Sequence, residues 1–286
     1  MLHNADNPVR ECPACGRRTP QRFLYSKHGC DIFRCQECGL GRSEAGEFDP
    51  ARYYTKDYFS GQHADGYGDY LGSERVLRHE FARVVDVIRR YCAGGRLIEV
   101  GCAYGFFLQE AKRYFDVAGI ELVEDAAAHA RQAGLNVVGG VADEANLTQL
   151  GYADVIVLLD VIEHLPDPHA TLQLAVRHLN PGGIVVITTG DFSSFYARLA
   201  GSHWRLMTPP QHLWFFTPDS IARLADDLEL RLESLSHPAK VVPLSLILFQ
   251  LRRMLGLRGG AMAGSVGIPI NLFDAMRVIL RKPMQL

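Results

Sequence analysis

The stretch Leu97-Ile98-Glu99-Val100-Gly101-Cys102-Ala103-Tyr104-Gly105 decides the fold. Four residues, three of them apolar, read as a buried strand with an acid near its end. A glycine turn follows and opens a helix at Phe106. Such a turn places a ligand at a helix N-terminus, beside the carboxyl ends of parallel strands. Outward from it, short apolar runs alternate with amphipathic segments. Strands are expected at Leu97–Val100, Val117–Leu122, Asn136–Gly139, Val155–Asp160 and Ile184–Thr188, with helices at Phe106–Tyr114, Asp125–Ala133 and His169–Leu179. A further helix starts with Thr217 as N-cap and Pro218 at its first position, and two late strands cover Arg231–Ser236 and Met276–Lys282. This alternation predicts an α/β fold, a parallel sheet with helices on both faces.

Upstream the texture differs. Cys12-Pro13-Ala14-Cys15 and Cys35-Gln36-Glu37-Cys38 form two Cys-x-x-Cys pairs separated by 19 residues, each followed by glycine. Two tight turns of this kind aim four thiolates at one ion, the shell of a structural zinc site. Cys12, Cys15, Cys35 and Cys38 are therefore the expected metal ligands. Cys30, Cys92 and Cys102, the rest of seven cysteines, have no partner at that spacing. The division expected is a zinc ribbon over 1–47, a tyrosine-rich connection and helix over 48–95, and a ligand-binding domain over 96–286. An apolar and basic insertion falls at about 239–272. In the connection, Ser73 is the expected N-cap of a helix burying Leu77, Phe81, Val84, Val85 and Ile88; Tyr53, Tyr54 and Tyr58 could fold over the site as a lid.

Composition is that of a globular chain, 48% hydrophobic and 22% charged, with a formal net charge of -2. That balance argues against a dedicated nucleic-acid binder. From Lys240 onward seven basic residues face one acid, Asp274, so an acidic body carries a basic end that suits an anionic partner. Residues 1–10 show no apolar export signal, and Cys-x-x-Cys pairs suit a reducing compartment, so a cytoplasmic location is expected.

Which nucleotide the turn takes can be argued from charge. A dinucleotide brings a pyrophosphate, which needs Gly-x-Gly-x-x-Gly and bare amides. Here Ala103 replaces the second glycine, and Glu99 adds negative charge near where that anion would lie. S-adenosylmethionine (SAM) has an ammonium, a carboxylate and a sulfonium but no phosphate, so an acid near the turn favours it. Glu121, 20 residues after Gly101, ends the next strand where an acid takes ribose hydroxyls.

At this point the chain resembles the class I SAM-dependent methyltransferases, and within them the ubiquinone-biosynthesis O-methyltransferase branch. Ile98–Gly105 resembles that family's first motif and Gly119-Ile120-Glu121 its second-strand acid. Asp154–Pro168 resembles its fourth strand and following loop, and Leu179-Asn180-Pro181-Gly182-Gly183 the turn before the fifth. A zinc ribbon ahead of such a domain is also similar to a group of bacterial methyltransferases, some acting on sugars or secondary metabolites. The resemblance implies that Glu99, Gly101 and Gly105, with Cys102 and Ala103 in the same turn, hold the methionine end of SAM. It implies Glu121 and Leu122 at the ribose, Ala142 and Asp143 by the adenine, and Asp160 and Val161 flooring the pocket. Ala103 departs from the glycine many members carry, and is expected to be tolerated if its φ stays negative.

Methyl transfer to a hydroxyl is helped by a general base, a role suited to histidine. His164 follows the fourth strand. His212 lies in the aromatic stretch Trp204–Phe216, in the region that usually faces substrate in this fold. The function expected is methyl transfer to oxygen on a small molecule or glycan. Transfer to carbon or nitrogen of a sugar or secondary metabolite, or to a lipid-linked acceptor, is the alternative. A non-catalytic zinc-ribbon, SAM-binding module is the alternative of another class. A nucleic-acid methyltransferase is disfavoured by the lack of an Asn/Asp-Pro-Pro-Tyr type motif. For 241–258, an interfacial segment meeting membrane or a lipid-linked substrate competes with an inserted helix packed on the sheet or at a homodimer interface. The second is preferred because short apolar runs are usually core.

Overall fold

The computed structural model describes residues 8–44, Tyr53, 69–244, Leu248 and 266–284. Four strands come first, β1 (Val9–Cys12), β2 (Arg17–Lys27), β3 (Cys30–Cys35) and β4 (Gly41–Glu44). Helix α1 (Glu74–Ile88) leads into β5 (Arg96–Val100), α2 (Phe106–Ala111), β6 (Asp116–Glu121), α3 (Glu124–Gln132), β7 (Asn136–Gly139), α4 (Glu144–Leu150) and β8 (Ala153–Leu159). Then follow α5 (Pro168–Arg177), β9 (Leu179–Gly190), α6 (Phe195–Ala200), β10 (Trp214–Phe215), α7 (Pro218–Asp227) and β11 (Arg231–Ser236). The last strands are β12 (Lys240–Pro243), β13 (Gly267–Ile270) and β14 (Ala275–Arg281).

Packing divides the chain into two compact units, Met1–Phe48 with Leu158–Pro238 and Leu272–Leu286, and Asp49–Val157 with Ala239–Asn271. The ribbon does not pack as a body of its own, because β10 adds to its sheet as the strand next to β4. The first unit also holds the antiparallel ladder β11-β14-β9. In the second unit β5, β6 and β7 pair in parallel and β8 lies on the other side of β5. Their apolar residues are buried on both faces: Leu97, Ile98, Ala118, Val155, Ile156 and Val157 are all inaccessible to solvent. That is why these strands read as continuous apolar runs rather than alternating ones.

Local signals set the helix ends. Thr217 caps α7 by accepting from the Ser220 amide at 3.1 Å, with Pro218 next. Asp167 caps α5 by accepting from Ala170 at 2.9 Å. Ser73 stands at the N-cap position of α1, but its hydroxyl donates back to the Asp69 carbonyl instead of capping. Leu77 and Phe81 are half-buried, whereas Val76 joins Val84, Val85 and Ile88 in the core. Two expectations need correction. Helix α2 stops at Ala111, short of Tyr114. Pro181-Gly182-Gly183 is not a turn ahead of a strand but lies within β9, where Gly182 at φ 77° pairs with Lys282 of the chain beyond β14.

Of the tyrosines offered as a lid, Tyr54 and Tyr58 lie outside the described residues, as does most of 241–258. Among the described residues no helix is long and apolar enough to cross a membrane.

Candidate active site

Parallel register builds the glycine turn. Val100 pairs with Ile120, so the chain leaves both strands side by side, and the amides of Gly101 and Cys102 donate to the Ile120 carbonyl at 2.8 and 3.1 Å. Glu121 then reaches back across the turn. Its Oε2 accepts from the Ala103 amide at 2.7 Å and its Oε1 from the Val123 amide at 2.8 Å. Both oxygens brace loops, yet each retains a second acceptor site. The brace accounts for a departure from expectation: Ala103 sits at φ 46°, in the left-handed region rather than at negative φ. That costs about 1–2 kcal/mol for a residue with a Cβ, offset by the charge-assisted bond from its amide to Glu121. Gly101 and Gly105 take φ 73° and 78°. Tyr70 stacks on Tyr104 and Phe106 beside the turn, and Tyr53 packs on the same cluster.

Glu99 is the telling residue. It is 3% exposed, and its Oε2 has no hydrogen-bond partner among the described residues. Burial, followed by the Glu121 carboxylate, pushes its pKa well above the usual carboxylate range. A buried, like-charged pair of acids asks for a cation. The ammonium of SAM answers that demand, and a pyrophosphate would aggravate it, so the residues fit SAM. Further along, Asp143 caps α4 by accepting from the Asn146 amide at 2.8 Å, and Ala142 precedes it. In the first unit Asp160 stands at φ 56°, its amide bonded to Thr188 and its Oδ1 accepting from the Thr188 hydroxyl at 3.0 Å. Val161 follows it into a short turn at Ile162–His164.

The four cysteines converge as their spacing predicts. Cys12 and Cys38 Sγ lie 3.6 Å apart, Cys15 and Cys35 Sγ 3.9 Å, and all four sulfurs fall within 4.8 Å of one another. A tetrahedral zinc–sulfur shell, at about 2.3 Å per bond, puts sulfurs about 3.8 Å apart. Gly16 and Gly39, both left-handed, make the turns behind the pairs. Cys30, Cys92 and Cys102 form no disulfide among the described residues and lie outside the cluster.

His164 and His212 meet, which their distance in sequence did not reveal. Their rings lie 4.7 Å apart at 70°. His164 Nδ1 is 2.9 Å from the Gln211 carbonyl and His212 Nδ1 2.7 Å from the Leu206 carbonyl. A carbonyl only accepts, so His212 Nδ1 carries the proton and its Nε2 a lone pair, while His164 faces the backbone of both Gln211 and Asp160. Burial lowers both pKa values, that of His212 to about 3 with help from His164. Both imidazoles are therefore neutral at pH 7. Sequence reasoning passed over Glu163, which is buried and offers a carboxylate oxygen within 4.8 Å of ligand atoms of both histidines. Its signal was its place beside His164. Also missed was Asp274, buried, which accepts from Trp204 Nε1 and twice from Arg205, each at 2.9 Å.

A Rossmann-like α/β fold with a left-handed glycine turn and two buried acids at the ends of adjacent parallel strands fits a SAM-dependent methyltransferase. Comparison places the chain accordingly: a methyltransferase-domain family model matches residues 75–235, and the chain belongs to that family. It is 29% identical over 182 residues to a ubiquinone biosynthesis O-methyltransferase of Methylococcus capsulatus, covering 58% of this chain and 77% of the relative. To that of a Shewanella species it is 27% identical over 150 residues, covering 48% and 64%. To that of Psychrobacter cryohalolentis it is 31% identical over 152 residues, covering 48% and 59%. The chain thus spans less than two thirds of the length of the last two. Among solved structures, a SAM-dependent methyltransferase from Archaeoglobus fulgidus superposes with TM-score 0.51 at 19% identity, covering 74% of this chain and 99% of that one. An O-methyltransferase family protein from Burkholderia thailandensis gives 0.53 at 15%, covering 80% and 64%. These two likenesses show the fold.

Proposed function

We propose that this protein transfers a methyl group from SAM to an oxygen of a small molecule or glycan. The observation that carries the cofactor is Glu99, a buried carboxylate with an oxygen lacking a partner, set at a turn with no room for a phosphate's charge. SAM supplies a methyl group already activated on a sulfonium. In this reading Glu99 pairs the ammonium, Gly101, Cys102, Ala103 and Gly105 line the methionine end, and Glu121 with Leu122 takes the ribose. Ala142 and Asp143 lie by the adenine, and Asp160 and Val161 are the residues the other unit is proposed to offer the cofactor. Oxygen as the acceptor atom is supported by the names of the relatives and by the neutral histidine pair.

His212 is the proposed base, through Nε2, with His164 holding the ring by its edge. An imidazole whose conjugate acid has a pKa of about 3 is weak. It suffices here, because an ether oxygen that has just gained a methyl while keeping its proton is a far stronger acid. The proton passes to Nε2 as the carbon–oxygen bond forms, and the aromatic walls from Trp204 to Phe216 exclude water. Cys12, Cys15, Cys35 and Cys38 hold zinc in a closed shell, so the metal is structural. Thiolate ligands persist in reducing surroundings, which supports the cytoplasm as the compartment. Mass-spectrometric detection of S-adenosylhomocysteine and methylated product, across phenolic and sugar hydroxyl acceptors and their carbon- and amine-nucleophile counterparts, tests the reading. Product formed on carbon or nitrogen acceptors alone would exclude oxygen.

A further inference from the structure

The segment 202–217 carries His212, yet its only regular structure is the two-residue strand β10, apart from one residue-pair of 3-10 turn at its start. Its shape comes from its neighbours. On one side Leu213 N donates to the Glu163 carbonyl, Trp214 Nε1 to the Leu165 carbonyl, and Trp204 Nε1 and Arg205 to Asp274. On the other side stands the ribbon, which holds the segment along its whole length. Lys27 Nζ donates to the Ser202 carbonyl at 2.6 Å and His28 Nδ1 to the Pro209 carbonyl at 3.1 Å, both from the β2–β3 hairpin. The Ser43 amide donates to the Leu213 carbonyl at 2.8 Å, next to His212, and β4 pairs Trp214 with Arg42 and Phe215 with Gly41. Thr217 Oγ1 donates to the carbonyl of Cys38, itself one of the four clustered cysteines, at 3.0 Å.

The fit is close. A Cβ at residue 41 would come within 2.8 Å of the Phe192 ring and 2.9 Å of Phe215 Cβ, so only glycine lets β4 approach this far. Ile32 of β3 is buried in one cluster with Phe192, Trp204, Met207 and Phe215. The cysteine turns and the histidine segment are thus built on one sheet. The glycine turn, with Glu99 and Glu121, belongs to the other compact unit.

We propose that the ribbon is the positioning element for His212: metal held by the four cysteines fixes the shape of 202–217, so that metal occupancy governs turnover and leaves cofactor binding alone. The proposal rests on the reading of His212 given above. The protein carries its own reporter, because its two tryptophans, Trp204 and Trp214, both lie in this segment.

The full chain is purified, its zinc content measured, and the metal removed with a strong chelator. Tryptophan emission should shift to the red, turnover should fall by about 100-fold, the scale of a 1 Å misplacement, and the Kd for SAM should stay within twofold. Re-added zinc should restore emission and turnover together. The paired substitution Lys27→Met and His28→Ala, at the tip of the β2–β3 hairpin, leaves the cysteines intact. It should lower kcat several-fold with the same emission shift in smaller measure and no change in SAM affinity. A chain without bound metal, unchanged emission on metal removal, or a parallel loss of SAM binding would each overturn the proposal. Emission and calorimetry decide it even if no acceptor supports turnover, a result that would count against the reading of the reaction instead.

Discussion

Replacing Glu99 by Gln should move stability and affinity in opposite directions. The carboxylate is buried, its Oε2 has no partner among the described residues, and burial and Glu121 raise its pKa. A folded pKa above the unfolded value of about 4.3 means the fold binds that proton more tightly than the unfolded chain does. Stability is then lost as pH rises from about 4.3 towards the folded pKa, and at neutral pH the charge is a burden to the ligand-free protein. Gln removes the burden, so the ligand-free Tm at pH 7.5 should hold or rise. With SAM present the sign reverses. Loss of one partner from a buried charge pair costs about 2–5 kcal/mol, which at 1.36 kcal/mol per tenfold is about 30-fold or more in Kd. An ordinary destabilising substitution lowers both quantities, so the opposed signs are diagnostic. Calorimetric titration and thermal melting of E99Q and wild type read both. A Kd within threefold of wild type, in a variant that melts normally, would refute the pairing of Glu99 with the ammonium.

The remaining predictions concern the histidines and the turn. His212→Gln should reduce kcat by about 10²–10⁴-fold with SAM affinity retained, measured by S-adenosylhomocysteine release and calorimetry; retained turnover removes His212 as the base. His212 titrates near 3 when folded and near 6.5 unfolded, so stability is full above pH 6.5 and is lost as pH falls through the window between the two values, by about 2 kcal/mol at pH 5. Urea titrations at pH 7.5 and 5 should show a smaller acid loss in H212Q than in wild type, and equal losses would contradict the burial argument. Gly105→Ala puts a Cβ at φ 78°, within 2.4 Å of Leu135 Cδ1 and 3.0 Å of Ala130 Cβ. Backbone strain of about 1–2 kcal/mol and overpacking of about 1–3 kcal/mol should lower the urea midpoint at constant m, and a wild-type midpoint would show that the turn yields. Ala103→Gly, by relieving φ 46°, should instead leave stability equal or raise it by up to about 1 kcal/mol.

What the sequence disclosed followed from local chemistry. The strands around Glu99 and Glu121 were legible because both faces are buried, and Thr217-Pro218 announced a helix start because a cap and a fixed φ act within one turn. The cysteine pairs were legible because Cys-x-x-Cys spacing aims two sulfurs from one tight turn at a common point. Ala103 was not, since its left-handed backbone is sustained by Glu121, a strand away. The union of β4 with β10 was hidden for the same reason: a strand of two residues has no periodicity, and its partner lies far off in the chain. His164 and His212 could be picked as candidates singly. Their contact, and the depth of burial that weakens them as bases, are properties of the packed unit.

The turn after Glu99 is proposed to seat a cationic, phosphate-free adenosine ligand. Titrating wild-type, zinc-loaded protein with S-adenosylhomocysteine, SAM and NAD in parallel calorimetric runs tests that directly. Saturable one-to-one binding of the first two, with no heat from NAD, is the predicted result. Binding of NAD with silence from both sulfur ligands would contradict it.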